Sequence, residues 1–156
     1  MELTERNFED YSSIRVTFST GKLNCLKCKR ELLVIHFSSK TDVNHDDLCL
    51  MNAMKLAASN IWFPEAIILD FRNLWYKWGD TMEFLFQSPY MACDTPLQKI
   101  FASQGGERIL IKAVCSDKNR EGLTSLIRDE MEEDLTQVLF ESLDEAVNAL
   151  EAELNK

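Results

Sequence analysis

The residues of this chain best suited to chemistry are five cysteines and two histidines. Cys25 and Cys28 stand three apart, with Lys27, Lys29 and Arg30 beside them. Two thiolates at this spacing supply half of a tetrahedral zinc site, and the neighbouring cations favour the thiolate form. The other half is missing, because Cys49, Cys93, Cys115, His36 and His45 are scattered without a second close pair. A thioredoxin-type pair follows a strand and opens a helix, whereas this one falls between two predicted strands. Two ordinary thiols in a hairpin are expected. Metal held by Cys25 and Cys28, alone or shared across a dimer, is the alternative. No cofactor is expected.

Cys115 closes a predicted strand just before a helix, where helix-terminal amides can activate a thiol. The spacing from Cys115 to Arg120 is similar to the active loop of rhodanese-like sulfurtransferases. Such a loop wraps an anion with small residues and unpaired amides. Here Asp117 puts a negative charge where the anion would sit, and the loop has no glycine. Cys115 is therefore read as a strand-end cysteine followed by a helix cap. With His36 and His45 alone, a Ser-His-Asp or Cys-His site is poorly supplied. His36 alternates into an apolar strand and is read as a satisfied core histidine, and His45 as a surface residue. Asp70 and Glu83 are too ordinary to be taken as an acid and base pair. The chain is not expected to be an enzyme.

A different kind of site is suggested by Trp75, Tyr76 and Trp78. They follow the apolar run Ala66-Ile67-Ile68-Leu69, which reaches a charge at Asp70. A short run rich in β-branched residues and apolar on both faces predicts a central, doubly covered strand. Gly79-Asp80 then opens a helix, with Asp80 as N-cap and Glu83 completing a capping-box pair. Dense aromatics beyond a central strand line pockets or anchor protein interfaces. The expected partner-binding residues are Trp75, Tyr76, Trp78, Asp80 and Thr81. Tyr90, Met91 and Cys93 could close over the same region. The plain alternative is that two of the three aromatics roof the core.

The elements that must position these residues are predicted as follows. Residues 1–13 are a polar lead-in to one domain spanning 14–155. Residues 14–19 alternate apolar and polar as a half-exposed strand, Thr20-Gly21-Lys22 is a turn, and residues 32–37 form a second, more buried strand. Residues 38–45 read as polar loop, with Asn44 or Asp46 capping a helix over 47–61. Leu50, Met54, Ala57, Ala58 and Ile61 make that helix's apolar stripe, and Pro64 ends it. The central strand covers 65–71. A helix over 80–87, one or two helical turns over 95–103, a buried strand over 108–115 and a helix over 117–131 come next. A short strand at 137–140 and a last helix follow. Ser142 and Glu145 cap that helix, and it buries Leu143, Ala146, Val147, Leu150 and Leu154. A hairpin followed by βα repeats predicts an α/β fold with a mixed central sheet and helices packed on it.

Composition narrows the function. At 46% hydrophobic and 28% charged residues the chain suits an ordinary globular domain with a real core. No apolar run approaches the roughly 18 residues needed to span a bilayer, so no membrane span is expected. The opening MELTERNFED is polar and acidic, unlike a secretory signal. An odd number of cysteines in a chain of this size suits a reducing, cytoplasmic setting. Of the net charge of −9, residues 117–156 hold 12 acids and 4 bases. A small basic cluster, Lys22, Lys27, Lys29 and Arg30, lies at the other end. A nucleic-acid binder would show a wide basic face, so a protein partner is expected and nucleic acid is not. A monomer or a homodimer fits equally.

The order of elements resembles the STAS-like fold of anti-sigma factor antagonists and sulfate-transporter cytoplasmic domains. That family writes a strand ending Leu-Asp, about six residues, then Asp-Ser-Ser-Gly opening a helix. Leu69-Asp70 is similar to the strand end. Trp78-Gly79-Asp80-Thr81 falls on the helix opening. The phosphorylated serine of the family falls on Asp80, where a fixed carboxylate would mimic the phosphorylated state and Thr81 would be a displaced acceptor. The stretch from Val138 to Ala146 also looks similar to the family's late strand and acidic-capped helix. Over residues 12–154 the resemblance is one of topology and pattern rather than identity. It implies a regulatory protein-interaction domain. Two alternatives remain: an acidic immunity-type protein that neutralises a basic toxin, and a thiol- or zinc-dependent protein using Cys25 and Cys28 or Cys115.

Overall fold

The computed structural model describes residues 12–26, 29–77, 80–87, 109–130 and 134–156. Among these residues five strands form one sheet in chain order: β1 (Arg15–Asn24), β2 (Lys29–Asp42), β3 (Ala66–Trp75), β4 (Leu110–Val114) and β5 (Leu139–Phe140). β1 is antiparallel to β2, and every later pair is parallel. This is the α/β, mixed-sheet architecture expected from the order of elements. The hairpin is longer than predicted. Thr20-Gly21-Lys22 is no turn, since Gly21 pairs with Leu32 inside a continuous ladder, and the tip lies beyond Asn24. β2 likewise runs through the segment expected as loop, because Ser38 and Asp42 pair with Asn73 and Trp75 of a lengthened β3.

The two sheet faces follow the period-two alternation of the strands. Leu33, Ile35, Phe37, Ile67, Leu69 and Phe71 point to one face. There they meet α1 (His45–Trp62) and α2 (Arg120–Ser125), which continues as a π-helical turn, Leu126–Glu130. Leu32, Val34, Ala66, Ile68 and Val114 point to the other face, where α4 (Leu143–Leu154) buries Ala146 and Leu150 against them. A four-residue helix, α3 (Leu135–Val138), leads into β5. The predicted cap of the last helix is present: Glu145 N–H donates to Ser142 Oγ at 3.2 Å, and the Glu145 carboxylate accepts from Ser142 N–H. Lys112, buried in β4, ties α4 to the sheet by donating to Glu153 Oε2 at 2.6 Å and to the Gln137 carbonyl at 2.7 Å.

Helix α1 corrects the predicted stripe. Asn44 is its cap, exchanging 3.0 Å bonds with Asp47 in a capping box. Its buried face is Asp47, Leu48, Met51, Lys55, Ala58 and Ser59, whereas Ile61 is 66% exposed. Burial of a lysine and a serine in place of apolar neighbours is possible because both spend their polar groups on backbone. Ser59 Oγ donates to the Lys55 carbonyl at 2.8 Å. Lys55 Nζ donates to the carbonyls of Phe84, Leu85 and Gln87 at 2.7, 3.1 and 3.0 Å. The helix ends at Phe63, in the left-handed region at φ 46°, just before Pro64. The residues expected as a helix over 80–87 form a 3-10 helix, Asp80–Leu85. The helical turns predicted over 95–103 lie outside the described residues.

Candidate functional site

Of the predicted binding residues, Trp75 and Tyr76 lie at the end of β3, where it outruns β4. The β3–β4 ladder stops at Asp70 and Val114, yet β3 continues to Trp75. Carbonyls on its uncovered side need other donors, and the loop after β4 supplies them. Asn119 Nδ2 donates to the Phe71 and Leu74 carbonyls at 2.5 and 2.8 Å. Ser116 Oγ donates to the Arg72 carbonyl at 2.8 Å. The Asn119 amide oxygen accepts from Ser116 N–H at 3.1 Å, which completes the clasp. On the other side, Trp75 N–H donates to Ser39 Oγ at 3.0 Å, and the Trp75 carbonyl accepts from Val43 N–H at 3.1 Å.

Trp75 is thus fixed through its backbone while its indole stays 38% exposed. Lys118 Nζ stands 5.4 Å from the ring centroid, a cation–π contact of about 0.5–1 kcal/mol at an exposed site. Tyr76 corrects the expected face. It is 2% exposed and joins the core under α1 and α2, so its ring offers no surface. The approach of α2 depends on Gly122: a Cβ there would lie 2.7 Å from the Lys77 carbonyl oxygen and 3.0 Å from the Tyr76 ring. Asp80 and Thr81 are the first two residues of the 3-10 helix, whose Met82 and Leu85 are buried and whose Phe84 is 45% exposed. Lys55 holds the far end of that helix by its last carbonyls, and burial lowers its ammonium pKa to about 8. Trp78 lies outside the described residues, as do Tyr90, Met91 and Cys93.

A second polar cluster crosses the three N-terminal strands. Asp70, within the strand predicted over 65–71, sits inside β3 and is 5% exposed. Its carboxylate accepts from Arg72 Nε and Nη2 at 2.9 and 2.8 Å and from His36 Nδ1 at 2.8 Å. Burial alone would raise the Asp70 pKa, but the bonds from Arg72 and His36 outweigh it and hold the carboxyl below its usual range. The same bond raises the Arg72 guanidinium. His36 Nε2 is 3.0 Å from Ser19 Oγ. His36 is therefore satisfied, as expected, but half-buried and bonded through both ring nitrogens rather than enclosed in the core.

The thiol expectations divide. Cys115 is buried, and burial pushes its thiol pKa up. The amides of Asn119 and Arg120 both donate to the Ser116 carbonyl, so they are spent within the turn rather than offered to an anion. Arg120 pairs with Glu141 at 3.0 Å. Cys25 is half-buried and Cys28 lies outside the described residues. Among the described residues no three His, Cys, Asp or Glu side chains are placed to hold a metal ion. His45 Nε2 is 3.6 Å from Sγ of the exposed Cys49, one helical turn on.

Among the described residues no helix is long and apolar enough to cross a membrane. No protein-family model matches the chain, and no curated protein matches it. Among solved structures the chain is similar to an anti-sigma factor antagonist from Mycobacterium paratuberculosis, 13% identical over 87% of this chain and 93% of that one, with a TM-score of 0.47.

Proposed function

We propose that this chain is a cytoplasmic regulatory domain that acts by binding another protein. Its contact face lies around the end of β3: Trp75, Trp78, Asp80 and Thr81, with Tyr76 supporting it from beneath. The observation that carries this reading is the exposed indole of Trp75, carried on a backbone bonded through both its N–H and its carbonyl. A large aromatic on a held backbone has only two side-chain torsions to order on binding, which suits an interface anchor. Lys118 and Lys77 stand beside it. Lys77 forms an ion pair with Asp42 at 3.6 Å across the strand ends, so the rim is charged while its centre is aromatic.

Native mass spectrometry of the protein purified from its own host, with and without Trp75→Ala, tests this. A co-purifying protein lost in the variant, at unchanged unfolding temperature, supports the reading. Anchor truncation costs about 2–4 kcal/mol, roughly 30- to 1,000-fold in affinity. A partner retained equally by the variant, or a bare monomer in every wild-type preparation, refutes it.

A further inference from the structure

Ser19 on β1, His36 on β2 and Asp70 on β3 lie on one face of the sheet, Ser19 diagonal to His36, whose direct partner on β1 is Thr17. Ser19 pairs with Val34, so it shares the face of Val34 and of His36 two residues on, and His36 pairs with Asp70. The helix on that face, α4, packs over Val34, Ile68 and Val114. Further along the strands Ser19 is exposed and the His36 side chain keeps 31% of its surface. The two ring nitrogens are not equivalent. A carboxylate only accepts, so in the neutral ring Nδ1 carries the proton to Asp70 and Nε2 is left to accept from the Ser19 hydroxyl. That is the order of roles by which a histidine activates a serine, and such sites are recognised by geometry rather than by place in the sequence.

We propose that Ser19 Oγ is an activated nucleophile that takes acyl groups from neutral esters with good leaving groups. His36 is its general base and Asp70 its positioning residue. This site is separate from the Trp75 face and independent of that reading. Asp70 and Arg72 cancel each other's charge, so nothing in the cluster selects a charged acyl donor. Ser19 stands within a regular strand rather than at a turn whose amides converge on an oxyanion, so amides are not expected to react. In the step, Ser19 Oγ bonds to the ester carbonyl carbon and its proton passes to His36 Nε2. The carbon–oxygen bond to the leaving group then breaks, and that group takes the proton from Nε2. The products are the acyl-serine and the protonated leaving group, with His36 neutral again.

The full chain is treated with p-nitrophenyl acetate, and acetylation is located by peptide mass spectrometry, with Ser38 and Ser39 of the neighbouring strand as internal controls. General-base assistance is worth about 100-fold or more, so Ser19 is expected to be acetylated at least that much faster than Ser38. The excess should disappear in denaturant and in His36→Gln. Asp70→Asn should lower the rate and alter its pH profile, which a loss of packing alone would not do. Ser19 reacting no faster than Ser38 in the folded wild type overturns the proposal whatever the variants do. So does an unchanged Ser19 rate in a folded His36→Gln protein.

Discussion

Lys55→Met isolates one buried charge. Lys55 is 1% exposed, and among the described residues its ammonium bonds go to three carbonyls and to no carboxylate. Burial lowers its pKa from 10.5 to about 8. The unfolded chain therefore holds this proton over a pH range in which the folded chain has released it. Below pH 8 both states are protonated, and the cost of burying the charge is carried in full. As pH rises from 8 toward 10.5 only the unfolded state stays charged, so folding becomes more favourable by up to about 1.4 kcal/mol per pH unit. Between pH 7 and pH 10 this amounts to about 2.5 kcal/mol. Other groups titrate in the same range, so the informative quantity is the wild-type stability minus that of Lys55→Met. Methionine fills similar space without charge and gives up the bonds to Phe84, Leu85 and Gln87, a loss that does not depend on pH. Urea unfolding at pH 7, 8, 9 and 10 measures both proteins. The difference should move in favour of the wild type by about 2.5 kcal/mol across the series. A difference that stays flat from pH 7 to pH 10 would show that the ammonium is not buried as described.

Three further outcomes concern the support of the β3 end and the thiols. Asn119→Ala strips donors from the Phe71 and Leu74 carbonyls and an acceptor from Ser116 N–H. It should cost about 3 kcal/mol in urea unfolding, with faster amide exchange at residues 71–76. Gly122→Ala meets a backbone oxygen at 2.7 Å and should lower stability by about 1–3 kcal/mol, with the near-ultraviolet signal of Tyr76 altered. Iodoacetamide near neutral pH should modify exposed Cys49 well before Cys115, whose thiol is buried and held in its protonated form; peptide mass spectrometry gives the order.

Much of the fold was legible because the residues obeyed one period at a time. The doubly apolar run at Ala66–Leu69 could only be a central strand, and Ser142 with Glu145 marks a helix start that the structure keeps. Failures came where a polar side chain satisfied backbone at a distance. Lys55 and Ser59 look like an outer face of α1, yet they turn inward because each has carbonyl partners there. Asn119 stands at the start of a helix, as an N-cap would, but makes no cap bond and instead clasps β3. That clasp lets β3 run four residues past the predicted end and draws Tyr76 into the core. No local pattern announces it. The Asp70 cluster carried a weaker signal. A histidine and an aspartate at like positions of adjacent parallel strands share a face, but the register that brings Ser19 to them depends on a hairpin without the turn suggested by Thr20-Gly21-Lys22.

The strand order has a kinetic consequence. In space the strands follow one another as they do in the chain, β1 to β5. None of the described strands has to be inserted between two already in place, as happens in sheets whose order doubles back. β1 and β3 both pair with β2, so the first half of the chain can close a three-stranded template with α1 on it. Each later strand then adds to an open edge. Loop-closure entropy is met in small instalments rather than in one long-range search. A chain emerging from the ribosome can thus begin to assemble before its second half is made.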